Sequence, residues 1–210
     1  LKDRLRNKLT QLNPALPEEC IARAIGELCK NRATLTPIMA NKEVYGLIKN
    51  GVPVTYKNAL GREEHGYVRV IDFDAAQNND FLVVSQLSIE YQLAELTRRP
   101  DLLLYVNGLP LVMIELKNAT EKVKTGYDVN LKTYRKDIPQ LFWYNLFVCV
   151  SNGIQTRIGS FKAPWEHFFS WVKLHDTAVQ NHQLSREEVE AQSQVTGKRL
   201  SLELFGEGLC

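Results

Sequence analysis

The stretch Arg99-Pro100-Asp101-Leu102-Leu103-Leu104-Tyr105-Val106-Asn107-Gly108-Leu109-Pro110-Leu111-Val112-Met113-Ile114-Glu115-Leu116-Lys117 decides the fold. Two almost wholly apolar runs, Leu102–Val106 and Leu109–Leu116, flank Asn107-Gly108. Asn-Gly between such runs signals a hairpin. Runs this poor in polar residues suit central strands covered on both faces. Charge returns only at the open end, as Asp101, Glu115 and Lys117. A carboxylate and an ammonium at the end of a buried strand are costly unless paired or bound to something. Residues two apart on a strand share a face, so Glu115 and Lys117 point one way and Leu116 the other.

Whether Asp101 joins them depends on the turn. A two-residue Asn107-Gly108 turn pairs Val106 with Leu109 and sets Asp101 opposite Ile114, on the wrong face. A three-residue loop, Val106-Asn107-Gly108 with the glycine in a bulge, sets Asp101 opposite Met113, beside Glu115 and on its face. A shared site therefore requires an odd loop or a bulge in this hairpin.

Working outward, Leu16-Pro17-Glu18-Glu19 opens a helix, with proline in the first turn and acids at the positive end of the dipole. Ile21, Ile25 and Leu28 line one helical face. A second helix is expected over Asn41–Lys49, closed by Asn50-Gly51. Val52–Tyr56, Tyr67–Phe73 and Phe81–Val84 read as strands bounded by Gly, Asn and Asp. Glu121–Arg135 reads as a helix weakened by Gly126. Phe147–Ser151 and Ile154–Ile158 are further strands, and Trp165–Val172 a short aromatic helix. The pattern is an α/β domain with a mixed sheet over residues 1–175. Residues 176–210, rich in Gln, Ser, Glu and Thr, read as a linker.

Composition bounds the rest. The 210 residues carry 26 Lys and Arg against 24 Asp and Glu, a net charge of +2. Hydrophobic residues make up 44% and charged residues 24%. These ordinary values exclude a disordered chain, a collagen-like chain and a wholly basic nucleic-acid coat. At ~150 residues per domain the length suggests one large domain and an appendage. No apolar stretch reaches the ~18 residues needed to span a membrane. Cys20, Cys29, Cys149 and Cys210 lack zinc-ligand spacing and are too sparse for a disulfide scaffold, which points to a reducing, cytoplasmic setting. The missing initiator Met and the apolar pattern of Leu200–Cys210 suggest part of a longer protein. The charge is uneven: Lys117 to Lys136 holds six basic and two acidic residues.

Two carboxylates and a lysine at one strand end suit metal-assisted phosphodiester hydrolysis. Hard oxygen ligands hold Mg²⁺, which keeps several waters. The metal lowers the pKa of one water, and the lysine can orient it or stabilise developing charge. Pro100-Asp101 followed by Glu115-x-Lys117 resembles the PD-(D/E)-x-K nuclease signature. The neighbouring words are more specific: Asn79-Asp80-Phe81-Leu82-Val83-Val84, Arg98-Arg99-Pro100-Asp101, Val106-Asn107-Gly108-Leu109-Pro110-Leu111-Val112, Glu115-Leu116-Lys117-Asn118 and Asp137-Ile138-Pro139-Gln140-Leu141-Phe142. Together they resemble the amino-terminal nuclease domain of the R subunit of type I restriction enzymes, over roughly residues 12–175.

That resemblance implies a restriction-endonuclease-like fold, with a central mixed sheet flanked by helices, and cleavage of double-stranded DNA. Asp101 and Glu115 would be metal ligands, the carbonyl of Leu116 another, and Lys117 catalytic. The family's Q-x-x-x-Y motif corresponds to Asn130-Leu131-Lys132-Thr133-Tyr134, with Asn130 where Gln is usual. Asn130 and Tyr134, with Lys122, Lys124 and Lys132, would face DNA. The implied partners are the methylation and specificity subunits of a restriction complex. ATP would serve only motor domains, since no G-x-x-x-x-G-K-[ST] occurs here.

Plainer readings stand beside these. The three charged residues could be a structural ion pair, and the basic run a solvated helix face. Arg98 and Arg99 could pair with acids or contact DNA. Trp165, Phe168, Phe169 and Trp171 fit a core better than base stacking. Asp72, Asp74 and Asp80 fit turn and cap duties. Glu18, Glu19 or Glu27 could supply a further carboxylate. His65, His167, His175 and His182 are scattered. The competing function is a non-catalytic, nuclease-like module that docks DNA or partner subunits. A small-molecule α/β enzyme has no supporting motif.

Overall fold

A computed structural model describes residues 1–58, 60–91 and 96–171. Helices α1 (Lys2–Leu12), α2 (Glu18–Leu28) and α3 (Pro37–Asn50) come first. An antiparallel hairpin of β1 (Val52–Lys57) and β2 (Glu63–Val68) follows. Next come β3 (Phe81–Ser85), a small ribbon of β4 (Ile89–Tyr91) and β5 (Leu96–Arg98), then β6 (Leu102–Val106) and β7 (Leu109–Leu116). Helix α4 runs in three segments: Val123–Thr125, a π-helical Gly126–Leu131, and Lys132–Asp137. Strands β8 (Phe147–Ser151), β9 (Thr156–Gly159) and β10 (Phe169–Ser170) complete the described chain.

The central sheet has six strands in the order β10-β9-β8-β7-β6-β3. It is mixed: β7 and β8 pair in parallel, the other neighbours antiparallel. Leu104, Leu109, Leu111 and Val112 face α1–α3 and the β1–β2 hairpin. Leu103, Tyr105, Met113, Val148 and Val150 face α4 on the other side. The molecule has the α/β architecture of a restriction-endonuclease-like fold, with helices on both faces of the sheet.

The β6–β7 hairpin meets the requirement for a shared site by a different route from the expected three-residue loop. The turn has two residues, Asn107 and Gly108, at φ 52 and 84, and pairs Val106 with Leu109. The register then shifts, with Tyr105 opposite Pro110 but Leu104 opposite Val112. Leu111 is the extra residue, and consecutive Leu111 and Val112 both enter the same core. Two features place the bulge there. Pro110 has no N–H for the ladder, and the Leu111 carbonyl accepts from the Leu146 N–H at 2.7 Å. Beyond the bulge Leu102 opposes Ile114, so Asp101 comes next to Glu115 on one face.

The far end of the hairpin is held by a buried polar network. Asn107 is 0% exposed. Its side chain accepts from Asp80 N–H at 2.7 Å and donates to the Val70 carbonyl at 2.8 Å and to Asn79 at 2.9 Å.

Other expectations shift for local reasons. Helix α3 starts four residues before Asn41 because Thr36 caps it, accepting from Met39 N–H at 3.3 Å, with Pro37 at the first position. The expected strand Tyr67–Phe73 is replaced by β2, which ends at Val68. Its partner β1 begins only at Val52, after Gly51 at φ 84, and downstream Asp72 folds the chain by accepting from the N–H groups of Asp74 and Ala75. The expected helix Trp165–Val172 is a 3₁₀ turn at Trp165–His167 followed by β10, whose Phe169 and Ser170 pair with Ile158 and Arg157. Phe168 lies buried against Gly159, where a Cβ would meet its ring at 2.7 Å. Val172 and the expected linker lie outside the described residues.

Candidate active site

The open end of β7 lies beside the parallel strand β8. The Lys117 N–H donates to the Ser151 carbonyl at 2.8 Å, extending that pairing past Leu116. Glu115 is 1% exposed and faces α4. Lys117 Nζ lies 3.1 Å from Glu115 Oε1. The exposed Leu116 turns its side chain to the other face, and its N–H donates to Asp101 Oδ2 at 2.8 Å. The Asp101 carbonyl accepts from Gln86 N–H at 2.8 Å. Asp101, Glu115 and Lys117 thus form one cluster, and Leu116 contributes its backbone to it.

Burial pushes the Glu115 carboxyl above its usual range. The Lys117 ammonium opposes that shift and the negative Asp101 adds to it. Tyr134 is buried against the cluster, its hydroxyl donating to the Arg99 carbonyl at 3.3 Å. Burial lifts the phenol to about 12, Asn130 counteracts, and the charge of Glu115 adds. Tyr134 therefore turns toward the carboxylates, and Asn130 stands against Tyr134.

Gly126 makes this seating possible. A Cβ there would stand 2.6 Å from Val150 Cγ1, 3.4 Å from Glu115 Cγ and 3.5 Å from Lys117 Cε. The glycine that weakens the helix in sequence lets α4 rest on the site. The π-helical turn begins at the same residue, as such turns often do at functional sites.

The donor set suits a small hard cation. Glu115 Oε2 is buried with no hydrogen-bond partner, and Asp101 and the Leu116 carbonyl add oxygen donors. Among the described residues no group of three or more His, Cys, Asp or Glu side chains is placed to hold a metal ion. Two carboxylates leave coordination positions for water, as Mg²⁺ prefers.

Glu18, Glu19 and Glu27 lie on α2, on the opposite face of the sheet, and pair with Arg6, Arg23 and Lys30. Lys124 and Lys132 both bind Asp128, at 2.6 and 2.8 Å, on the outer face of α4. Arg135 lies over the Tyr127 ring, and Lys122 is exposed at the start of the helix. Asp72 and Asp80 serve the turn and an ion pair with Arg4.

Residues 1–167 match the family model described as type I restriction enzyme R protein N terminus. The chain belongs to the type I restriction enzyme R protein N-terminal family. This R-protein N-terminal domain is 34% identical over 174 residues to the type I restriction enzyme MjaIXP endonuclease subunit of Methanocaldococcus jannaschii, covering 81% of this chain and 16% of that one. It is 34% identical over 171 residues to the HindI endonuclease subunit of Haemophilus influenzae, covering 80% and 16%. With the SauMSSORF170P endonuclease subunit of Staphylococcus aureus it shares 33% identity over 126 residues, covering 56% and 13%. The chain thus spans about one sixth of the length of the first two relatives.

Sequence reasoning missed two residues of this candidate site. Gly126 was visible only as a helix defect. Gln86 holds the Asp101 backbone from a left-handed conformation, φ 48, rare outside glycine and worth attention near a site.

Proposed function

We propose that this domain is the Mg²⁺-dependent endonuclease of a type I restriction enzyme R subunit, hydrolysing phosphodiester bonds of double-stranded DNA. The observation that carries this reading is the Asp101–Leu116 hydrogen bond, which gathers both carboxylates and Lys117 at one strand end. The family membership and the names of the relatives support it.

Asp101, Glu115 and the Leu116 carbonyl would hold the metal. Bound there, Mg²⁺ supplies a water of lowered pKa and neutralises charge on the phosphate. Glu115, buried and short of one hydrogen bond, prefers a cation beside it. Lys117 then shares its ammonium between Glu115 and the reacting phosphate, orienting water or stabilising charge. Asn130 and Tyr134 line the α4 side, while Lys122, Lys124 and Lys132 offer charge to the DNA backbone.

In the full-length protein, ATP would drive separate motor domains, and the methylation and specificity subunits would choose the DNA. The setting would be the cytoplasm, and among the described residues no helix is long and apolar enough to cross a membrane. The test is cutting by the full complex. Asp101→Ala, Glu115→Ala and Lys117→Ala should each lower it on the order of 10²–10³-fold or more while sparing ATPase activity. Unchanged cutting would leave a nuclease-like docking module.

A further inference from the structure

Arg98 and Arg99 are adjacent in sequence and have different fates in the fold. Arg98 binds the buried Asp137 through Nη2 at 2.6 Å and Nε at 2.8 Å, tying β5 to the end of α4. Arg99 is exposed and, among the described residues, pairs with no carboxylate. Its Nη2 donates to a neutral acceptor, Gln86 Oε1, at 3.3 Å. That bond engages one of the five N–H donors of a guanidinium.

Gln86 also donates its backbone N–H to the Asp101 carbonyl at 2.8 Å. One residue in a left-handed conformation therefore holds both the backbone of a proposed metal ligand and the side chain of Arg99. Arg99 lines an open cleft of about 460 Å³ with Arg98, Thr97, Val129, Asn130, Thr133 and Tyr134, and the lining contains no acid. Tyr134 is its shared wall with the carboxylate cluster, bonded to the Arg99 carbonyl on one side and close to Glu115 on the other.

We propose that Arg99 binds the DNA phosphate neighbouring the one to be cut, with Gln86 as its positioning residue. The inference rests on the nuclease reading of Asp101, Glu115 and Lys117. Arg99 is two residues from Asp101, at most ~7 Å of extended chain, and Tyr134 stands between its cleft and the carboxylates, which sets Arg99 beside the site. A planar fork held by a neutral amide keeps its charge for a phosphate, which it can meet with two parallel bonds. Arg98, neutralised by Asp137, cannot do the same.

The experiment is binding of a short labelled duplex by the full 210-residue chain, with Ca²⁺ in place of Mg²⁺, followed by anisotropy across a salt series. Arg99→Ala should weaken binding about tenfold and lower the log–log salt slope by about 1. Arg99→Lys should restore the slope and only part of the affinity. Gln86→Gly tolerates the backbone conformation and removes the amide; it should weaken binding with the slope unchanged. An Arg99→Ala chain with wild-type affinity and slope, or a wild-type chain that binds no duplex, overturns the proposal. Mn²⁺ titration of the same proteins separates the two readings. Metal binding that survives Arg99→Ala and is lost in Glu115→Ala leaves the nuclease reading standing whatever the DNA result. A wild-type chain that binds no metal removes the nuclease reading, and this inference with it.

Discussion

The N–H of Leu116 donates to Oδ2 of Asp101 across 2.8 Å, and this contact depends on β7 carrying one residue more than the strand it pairs with. Asp101 therefore has a structural duty separate from any metal. Asp101→Asn keeps an acceptor for that N–H and should unfold in urea within ~0.5 kcal/mol of wild type, yet bind Mn²⁺ more weakly. Asp101→Ala loses the acceptor as well and should cost about 1 kcal/mol more. Equal stability of the two variants would mean the bond contributes nothing.

Gly126→Ala sets two effects against each other. Alanine gains about 1 kcal/mol of helix propensity over glycine. Its Cβ would also stand 2.6 Å from Val150 Cγ1, and overpacking of that kind costs typically ~1–3 kcal/mol. Valine is stiff at χ1 and cannot swing away. The net result expected in urea unfolding is a loss of about 1 kcal/mol, with weaker Mn²⁺ binding because α4 is lifted from Glu115 and Lys117. A more stable variant with unchanged metal binding would contradict the seating of α4.

Much of this was legible in the sequence where a signal was local. Leu102–Val106, Leu109–Leu116 and Phe147–Ser151 are strands at the expected bounds, because apolar runs between turn residues admit little else. The need for an irregular hairpin was legible too, since only that brings Asp101 to the face of Glu115. Its form was not: the bulge at Leu111 rests on the Leu146 N–H, 35 residues away. Arg98 and Arg99 were inseparable for the same reason, as Asp137 reaches Arg98 only through the fold. Gly126 and Gln86 gave no functional signal, because their roles lie in what presses against their backbones.

Asp128 holds Lys124 and Lys132 at 2.6 and 2.8 Å and is itself kept below the usual carboxylate range, by Lys124 first and Lys132 next. Surface pairs of this kind contribute ~0–1 kcal/mol, so Asp128→Asn should scarcely change stability. If the lysines follow a DNA backbone, that variant should bind duplex more tightly, with a salt slope steeper by up to about 1. An unchanged affinity and slope would mark them as a solvated helix face.

Asp72 titrates below its ordinary value, chiefly through its hydrogen bond from Asn78, with the Ala75 and Asp74 N–H groups and Arg69 adding to it against the cost of burial. A folded-state value below the unfolded one stabilises the fold above the unfolded value of 3.8 and is lost as pH falls through the folded value. Asp72→Asn should therefore be less stable than wild type at pH ~6. The difference should shrink as acid protonates Asp72, read as the gap between urea midpoints. A gap that widens in acid would contradict this account of the loop.

The central claim is that Asp101, Glu115 and Lys117 form one metal-dependent site. Calorimetric titration of Mn²⁺ into the full-length subunit without nucleotide tests it most directly. The expected result is millimolar or tighter binding by wild type and by Lys117→Ala, and no binding by Glu115→Ala. Equal binding by wild type and Glu115→Ala, or none by wild type, would contradict it.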